Sequence, residues 1–173
     1  APAKKNNKWG IVDAHGKIIS DFKYDGIRLD DRNYVWFNIG GLDPYVNEDM
    51  RMSIGQWGFM NRRLEVIVPA QYAAYKDFDE KGCAWVNKRD EYPRQNKSIY
   101  KGIDTTGFHD FNLSTGWAYV GGKWGLIDTT GKIIVPPQFT NFHSFKNDSA
   151  KVWIGDKKGI INHRGEIRWR IDH

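Results

Sequence analysis

Apolar positions recur along this chain in short alternating runs rather than at helical spacing. Trp124-Gly125-Leu126-Ile127 leads into the polar Asp128-Thr129-Thr130-Gly131, then the β-branched Lys132-Ile133-Ile134-Val135, closed by Pro136-Pro137. Two apolar runs around a short Asp, Thr and Gly segment predict an antiparallel hairpin. Asp caps the reversal with its side chain, and Gly takes the left-handed backbone a tight turn needs. No segment sustains the periodicity of an amphipathic helix, so the predicted class is all-β.

The hairpin is repeated. Lys8-Trp9-Gly10-Ile11-Val12-Asp13-Ala14-His15-Gly16-Lys17-Ile18-Ile19 is one copy, and Gln56-Trp57-Gly58-Phe59-Met60-Asn61 with Leu64-Glu65-Val66-Ile67-Val68-Pro69 is another. Tyr100-Lys101-Gly102-Ile103-Asp104-Thr105-Thr106-Gly107 is a degenerate copy without Trp, and Lys157-Lys158-Gly159-Ile160-Ile161-Asn162-His163-Arg164-Gly165-Glu166-Ile167 is the last. Five units are predicted, 8–27, 33–78, 82–111, 116–145 and 149–171, in one domain 8–173 preceded by a polar N-terminal tail 1–7. The recurring Lys-Trp-Gly-x-Ile-Asp-x-x-Gly-Lys-x-Ile-x-Pro-Pro pattern resembles the bacterial WG-repeat (KWG-repeat) family over nearly the whole chain. That resemblance implies a repeat scaffold and assigns no catalytic residue.

A leading strand precedes each hairpin except the first: Asn33-Tyr34-Val35-Trp36-Phe37, Cys83-Ala84-Trp85-Val86-Asn87, Trp117-Ala118-Tyr119-Val120 and Ser149-Ala150-Lys151-Val152-Trp153. In three of these Ala and Val lie two apart, hence on one face, and their neighbours face the other way. Aromatic stretches such as Gln138 to Phe145 and Gln71 to Phe78 follow the hairpins as a third strand or a packed connector. Such units bury their apolar faces only against one another. The expected architecture is an open or solenoid-like array of antiparallel hairpin or meander units, with a small five-unit β-propeller as the alternative.

Composition narrows the field. At 173 residues, 40% hydrophobic and 14% aromatic, the chain belongs with globular domains rather than disordered ones. Its single Cys83 rules out an internal disulfide, and no apolar run reaches membrane-spanning length. The net charge of +5 is spread along the chain, which ranks nucleic acid below other partners. Nothing distinguishes a cytoplasmic, periplasmic or secreted location.

The repeated residues have folding explanations. Trp9, Trp57 and Trp124 are expected as core plugs; Asp13, Asn61, Asp104, Asp128 and Asn162 as turn formers. Gly10, Gly58, Gly102, Gly125 and Gly159 are expected where a strand approaches closely or bulges. His15, His109, His143, His163 and His173 show no metal-ligand spacing, and Cys83 reads as a small core residue. No catalytic residue, metal or cofactor is predicted.

Departures from the repeat are more informative. The connection between leading strand and Trp-Gly strand swells at Gly40 to Gly55 and at Lys88 to Ile99, whereas Gly121-Gly122-Lys123 spans it in the predicted fourth unit. Long loops at one repeated turn suit recognition of another protein. The predicted partner-binding residues are Tyr45, Glu48, Asp49, Arg51, Arg89, Asp90, Glu91, Tyr92 and Arg94. The expected function is a non-enzymatic protein-binding module, in a toxin-neutralising or targeting role. The alternative is glycan or cell-envelope binding through stacking on Trp36, Trp85 and Tyr119.

Overall fold

The computed structural model describes residues 1–30, 32–40, 55–88, 99–100, 103–104 and 122–170, and no helix occurs among them. The first sheet joins β1 (Pro2–Lys5), β2 (Lys8–Val12) and β3 (Ile18–Tyr24). The second joins β4 (Gly26–Leu29), β5 (Val35–Ile39), β6 (Gln56–Met60) and β7 (Val66–Tyr72). The third begins with β8 (Ala74–Tyr75) and β9 (Cys83–Lys88). A ribbon of β10 (Ile99–Tyr100) and β11 (Ile103–Asp104) then intervenes before β12 (Lys123–Asp128) and β13 (Ile133–Phe139) complete the third sheet. The fourth joins β14 (Asn141–Phe142), β15 (Ala150–Ile154), β16 (Lys157–Ile161) and β17 (Ile167–Trp169). Every strand pairing among the described residues is antiparallel, as short hairpin connections require.

Three expectations about unit boundaries are corrected. Pro2–Lys5 is not a tail but the leading strand of the first sheet, with Lys4 opposite Trp9. The segments after the first and fourth predicted hairpins, Gly26–Leu29 and Asn141–Phe142, pair with the next leading strand, so the second and fourth sheets each begin with the strand that follows the preceding hairpin. The partner of the Trp124 strand is Cys83–Lys88, with Asn87 opposite Trp124 and Ala84 opposite Ile127. Ile99–Tyr100 and Ile103–Asp104 pair with each other, which puts Asp104 in a strand. Trp117 to Val120 lies outside the described residues.

The Trp-Gly dipeptide has a local explanation. Consecutive strand residues face opposite ways, so Trp and Gly serve different faces of one sheet. On β12, Trp124 stands opposite Phe139 and Leu126 opposite Val135, leaving three β13 residues against Gly125 alone. This bulge lays backbone over the glycine: an added Cβ would sit 2.7 Å from both Pro137 N and Val135 O. The same register shift recurs at β2 with β3 and at β6 with β7, over Gly10 and Gly58. Pro69, Pro136 and Pro137 stand in these bulged edge strands, where a missing N–H costs no ladder bond.

The turns share one design. Asp13, Asn61, Asp128 and Asn162 each use Oδ1 to accept the backbone N–H groups two and four residues ahead, at 2.8–3.1 Å. The left-handed position three residues on is Gly16, Gly131 and Gly165 in three turns, and Leu64 in the second, at φ 64°. Asp30 and Asp79, outside the repeated motif, build the same cap before β5 and β9.

The described residues fall into two compact units. In the unit holding the first two sheets, Ile11 and Tyr24 pack with Ile27, Val35, Phe37 and Met60, and Trp9, Leu64 and Ala70 close the layer. In the unit holding the fourth sheet and most of the third, Trp85 stacks on Phe142 at 4.3 Å and on Phe145 at 5.6 Å between ring centroids. Trp124 meets Phe142 edge-on at 4.8 Å. Aromatic and aliphatic burial between sheets is thus the main apolar stabilisation in each unit.

Two glycines separate packing from backbone strain. Gly125→Ala forces backbone apart and is expected to cost about 3 kcal/mol. Gly16→Ala, at φ 82° with no atom within 4 Å of the new Cβ, is expected to cost only about 1 kcal/mol. Urea unfolding of both variants checks the ordering.

Candidate functional site

The second and third sheets are interrupted at the same place, the end of the leading strand. β5 ends with Ile39 opposite Gln56, and β9 ends with Lys88 opposite Lys123. One residue inside each mouth stands an asparagine opposite the motif tryptophan, Asn38 against Trp57 and Asn87 against Trp124. Both asparagines are fully buried, at 0% exposure. Neither Nδ2 nor Oδ1 of Asn87 has a hydrogen-bond partner among the described residues, nor does Nε1 of Trp85, two residues away on the same face. Gly122, at φ 110°, approaches so closely that a Cβ there would lie 2.7 Å from Asn87 Oδ1.

A buried amide without partners costs about 1–3 kcal/mol. Nothing in the repeat pattern singled out these asparagines. The signal was a polar residue ending an otherwise apolar strand, visible only once the register pairs it with Trp. The connection across the third sheet runs from Lys88 to Gly122, much longer than the predicted Gly121-Gly122-Lys123, because β9 rather than the segment near Tyr119 pairs with β12. The predicted contact residues Tyr45, Glu48, Asp49, Arg51, Arg89, Asp90, Glu91, Tyr92 and Arg94 lie outside the described residues, as does Tyr119.

The expected stacking platforms are corrected by burial. Trp36 is 0% and Trp85 3% exposed. Trp36 packs on Phe59 at 5.2 Å, and Trp85 is held by Phe142 and Phe145. Neither offers a face to a sugar.

His163 forms a polar cluster that spacing did not foreshadow. The β16–β17 turn carries it between Asp79, which caps the turn before β9, and Asp148, in the turn before β15. Its Nε2 lies 2.8 Å from Asp79 Oδ2 and its Nδ1 2.6 Å from Asp148 Oδ1, while Phe145 stacks on the ring at 3.8 Å. Lys81 Nζ donates to Asp148 at 2.9 Å. Each ring nitrogen thus faces a carboxylate oxygen, which accepts from whichever nitrogen carries a hydrogen. Asp148 is held down to about 2, first by the Lys81 hydrogen bond and then by His163. Cys83 lies 3.9 Å from the backbone carbonyl oxygen of His163, not from its ring. Burial, followed by the charge of Asp79, pushes its thiol up to about 11, the opposite of an activated nucleophile. The cluster ties the third sheet to the fourth.

A family model described as WG containing repeat matches residues 9–42, 57–92 and 124–157, more than half of the chain. Each match begins at a motif tryptophan and none covers the ribbon of β10 and β11. No curated protein and no solved structure matches the chain.

Asn87→Leu, which replaces an unpartnered amide by a similar apolar volume, is expected to raise stability by about 1 kcal/mol or more in urea unfolding. The pH profile has two informative limbs. The depressed Asp148 favours the ionised form in the fold, so its contribution is complete above about 3.8 and lost as pH falls towards about 2. The raised Cys83 favours the neutral thiol, so its contribution is complete below about 9 and lost as pH rises towards about 11. Urea midpoints against pH should show a flatter acid limb for Asp148→Asn and a flatter alkaline limb for Cys83→Ala.

Proposed function

The chain belongs to the WG containing repeat family, and on that premise we propose that it is a non-catalytic module that binds another protein through the segments inserted at 41–54 and 89–121. The observation that carries this reading is the buried, unpartnered amide of Asn87 at the mouth of the longer insertion. A repeat scaffold gains nothing in stability from such a group, and residues retained against stability cluster where a protein acts. The recurring residues are otherwise occupied by folding: Trp in the layers, Gly under the bulge, Asp or Asn in the turns. Sequence specific to this chain therefore concentrates in the insertions. Tyr45, Arg51, Arg89, Tyr92 and Arg94 supply the aromatic and guanidinium groups that dominate protein interfaces, and Glu48, Asp49, Asp90 and Glu91 supply register. Neutralising a toxin and targeting a larger polypeptide are the two roles this reading favours.

Replacing 44–53 and 90–97 with short Gly-containing turns tests it. Affinity capture from the source cell should recover a protein with the parent chain and lose it with the folded double replacement. Arg89→Glu with Arg94→Glu should weaken binding of the recovered protein at least about tenfold. Equal recovery by the replaced variant overturns the proposal.

A further inference from the structure

The fourth sheet differs from the others in what it shows on one face. Val152, Gly159 and Ile161 are buried on the side that carries Phe142 against Trp85 and Trp124, and Ala150 joins them. The opposite side, which in the third sheet holds Trp85, Leu126 and Trp124, here holds Lys151, Ile160 and Lys158. The register makes these substitutions position for position: Lys151 stands opposite Ile160 and Trp153 opposite Lys158, as Trp85 stands opposite Leu126 and Asn87 opposite Trp124.

Two rows therefore cross this face. The first runs His143, Lys151, Ile160 and Arg168; the second runs Asn141, Trp153, Lys158 and Arg170. Lys151, Lys158, Arg168 and Arg170 are exposed, and none of them makes an ion pair with a described residue. Ile160, 43% exposed, sits between Lys151 and Arg168. Those two strands are about 10 Å apart, twice the inter-strand spacing. No aspartate or glutamate stands in either row, although the chain as a whole carries 21 acidic residues against 26 basic ones.

We infer that this face is a second docking surface, and that its occupant is an acidic segment of another polypeptide with an apolar side chain between carboxylates. Charge complementarity supplies the carboxylates: four cations in two rows, with no ion pair to a described residue, attract an anionic partner and repel a second copy of the same face. Ile160 supplies the apolar centre, since an exposed β-branched residue ringed by cations gains only when a partner covers it. A base-stacking ligand fits less well. Trp153 is the one aromatic ring in the rows besides His143, and His143 already lies against it at 4.9 Å between centroids. The inference rests on residues of the fourth sheet alone and stands or falls independently of the proposed function.

Fluorescence anisotropy with the full chain tests the inference, using a labelled peptide of alternating Glu and Leu, a Lys and Leu counterpart, and an oligothymidylate of equal charge to the acidic peptide. The acidic peptide should bind tighter than the other two. Lys151→Glu with Lys158→Glu, both on exposed sites, should weaken it at least about tenfold, and Ile160→Ser should weaken it severalfold at unchanged salt dependence. A chain with both insertions replaced should bind the acidic peptide like the parent. Unchanged binding by a folded Lys151→Glu, Lys158→Glu chain, or tighter binding of the oligothymidylate, overturns the proposal.

Discussion

The structure depends on a constraint at adjacent residues of one strand: both of its faces are covered, but by different things. On one side the motif strand needs a large apolar ring to fill the layer between sheets. On the other it must leave room for the bulged edge strand to cross it. Because successive side chains point to opposite faces, Trp followed by Gly meets both demands in two residues. Trp124 packs against Phe142 while Val135 to Pro137 closes over Gly125. The bulge lets the edge strand carry proline, which keeps that edge from pairing with another chain.

The fourth sheet shows that these two demands are separable. Lys158 stands where the other sheets have Trp, since its outer face is not covered by another sheet among the described residues of that unit. The glycine remains. Here the register runs without a bulge, and the ring of Trp169 takes the space over Gly159, with its Cε3 2.7 Å from where a Cβ would stand. The tryptophan thus responds to burial of the outer face and the glycine to whatever crosses the inner one.

Local rules were readable from the chain. The alternation of apolar residues, the Asx-capped turns and the close approach over Gly10, Gly58 and Gly125 follow from chemistry within a few residues. Two further caps, at Asp30 and Asp79, were missed because they fall outside the repeated motif, and in the first of them Asn33 rather than Gly takes the left-handed position, at φ 62°. The aromatic stretch around Phe142 reads as either strand or connector and is both: Asn141–Phe142 pairs with β15, while Phe142 and Phe145 hold Trp85 between sheets. The His163 cluster joins residues up to 84 positions apart, which no local pattern reports.

The sequence alone determined the class, the family resemblance, and the turn chemistry and close glycine approach of the hairpins headed by Trp9, Trp57 and Trp124, because each of these rests on contacts close along the chain or on a two-residue period. Tertiary structure decided which strand pairs with which. Cys83 to Asn87 and Trp117 to Val120 carry the same Ala and Val spacing, so the pattern could not choose between them; backbone hydrogen bonds from β12 to β9 did. It also decided the fate of the tryptophans on the leading strands. Whether Trp36 or Trp85 meets a ligand or a neighbouring ring depends on what covers the face, and covering is a property of stacked sheets rather than of any one strand.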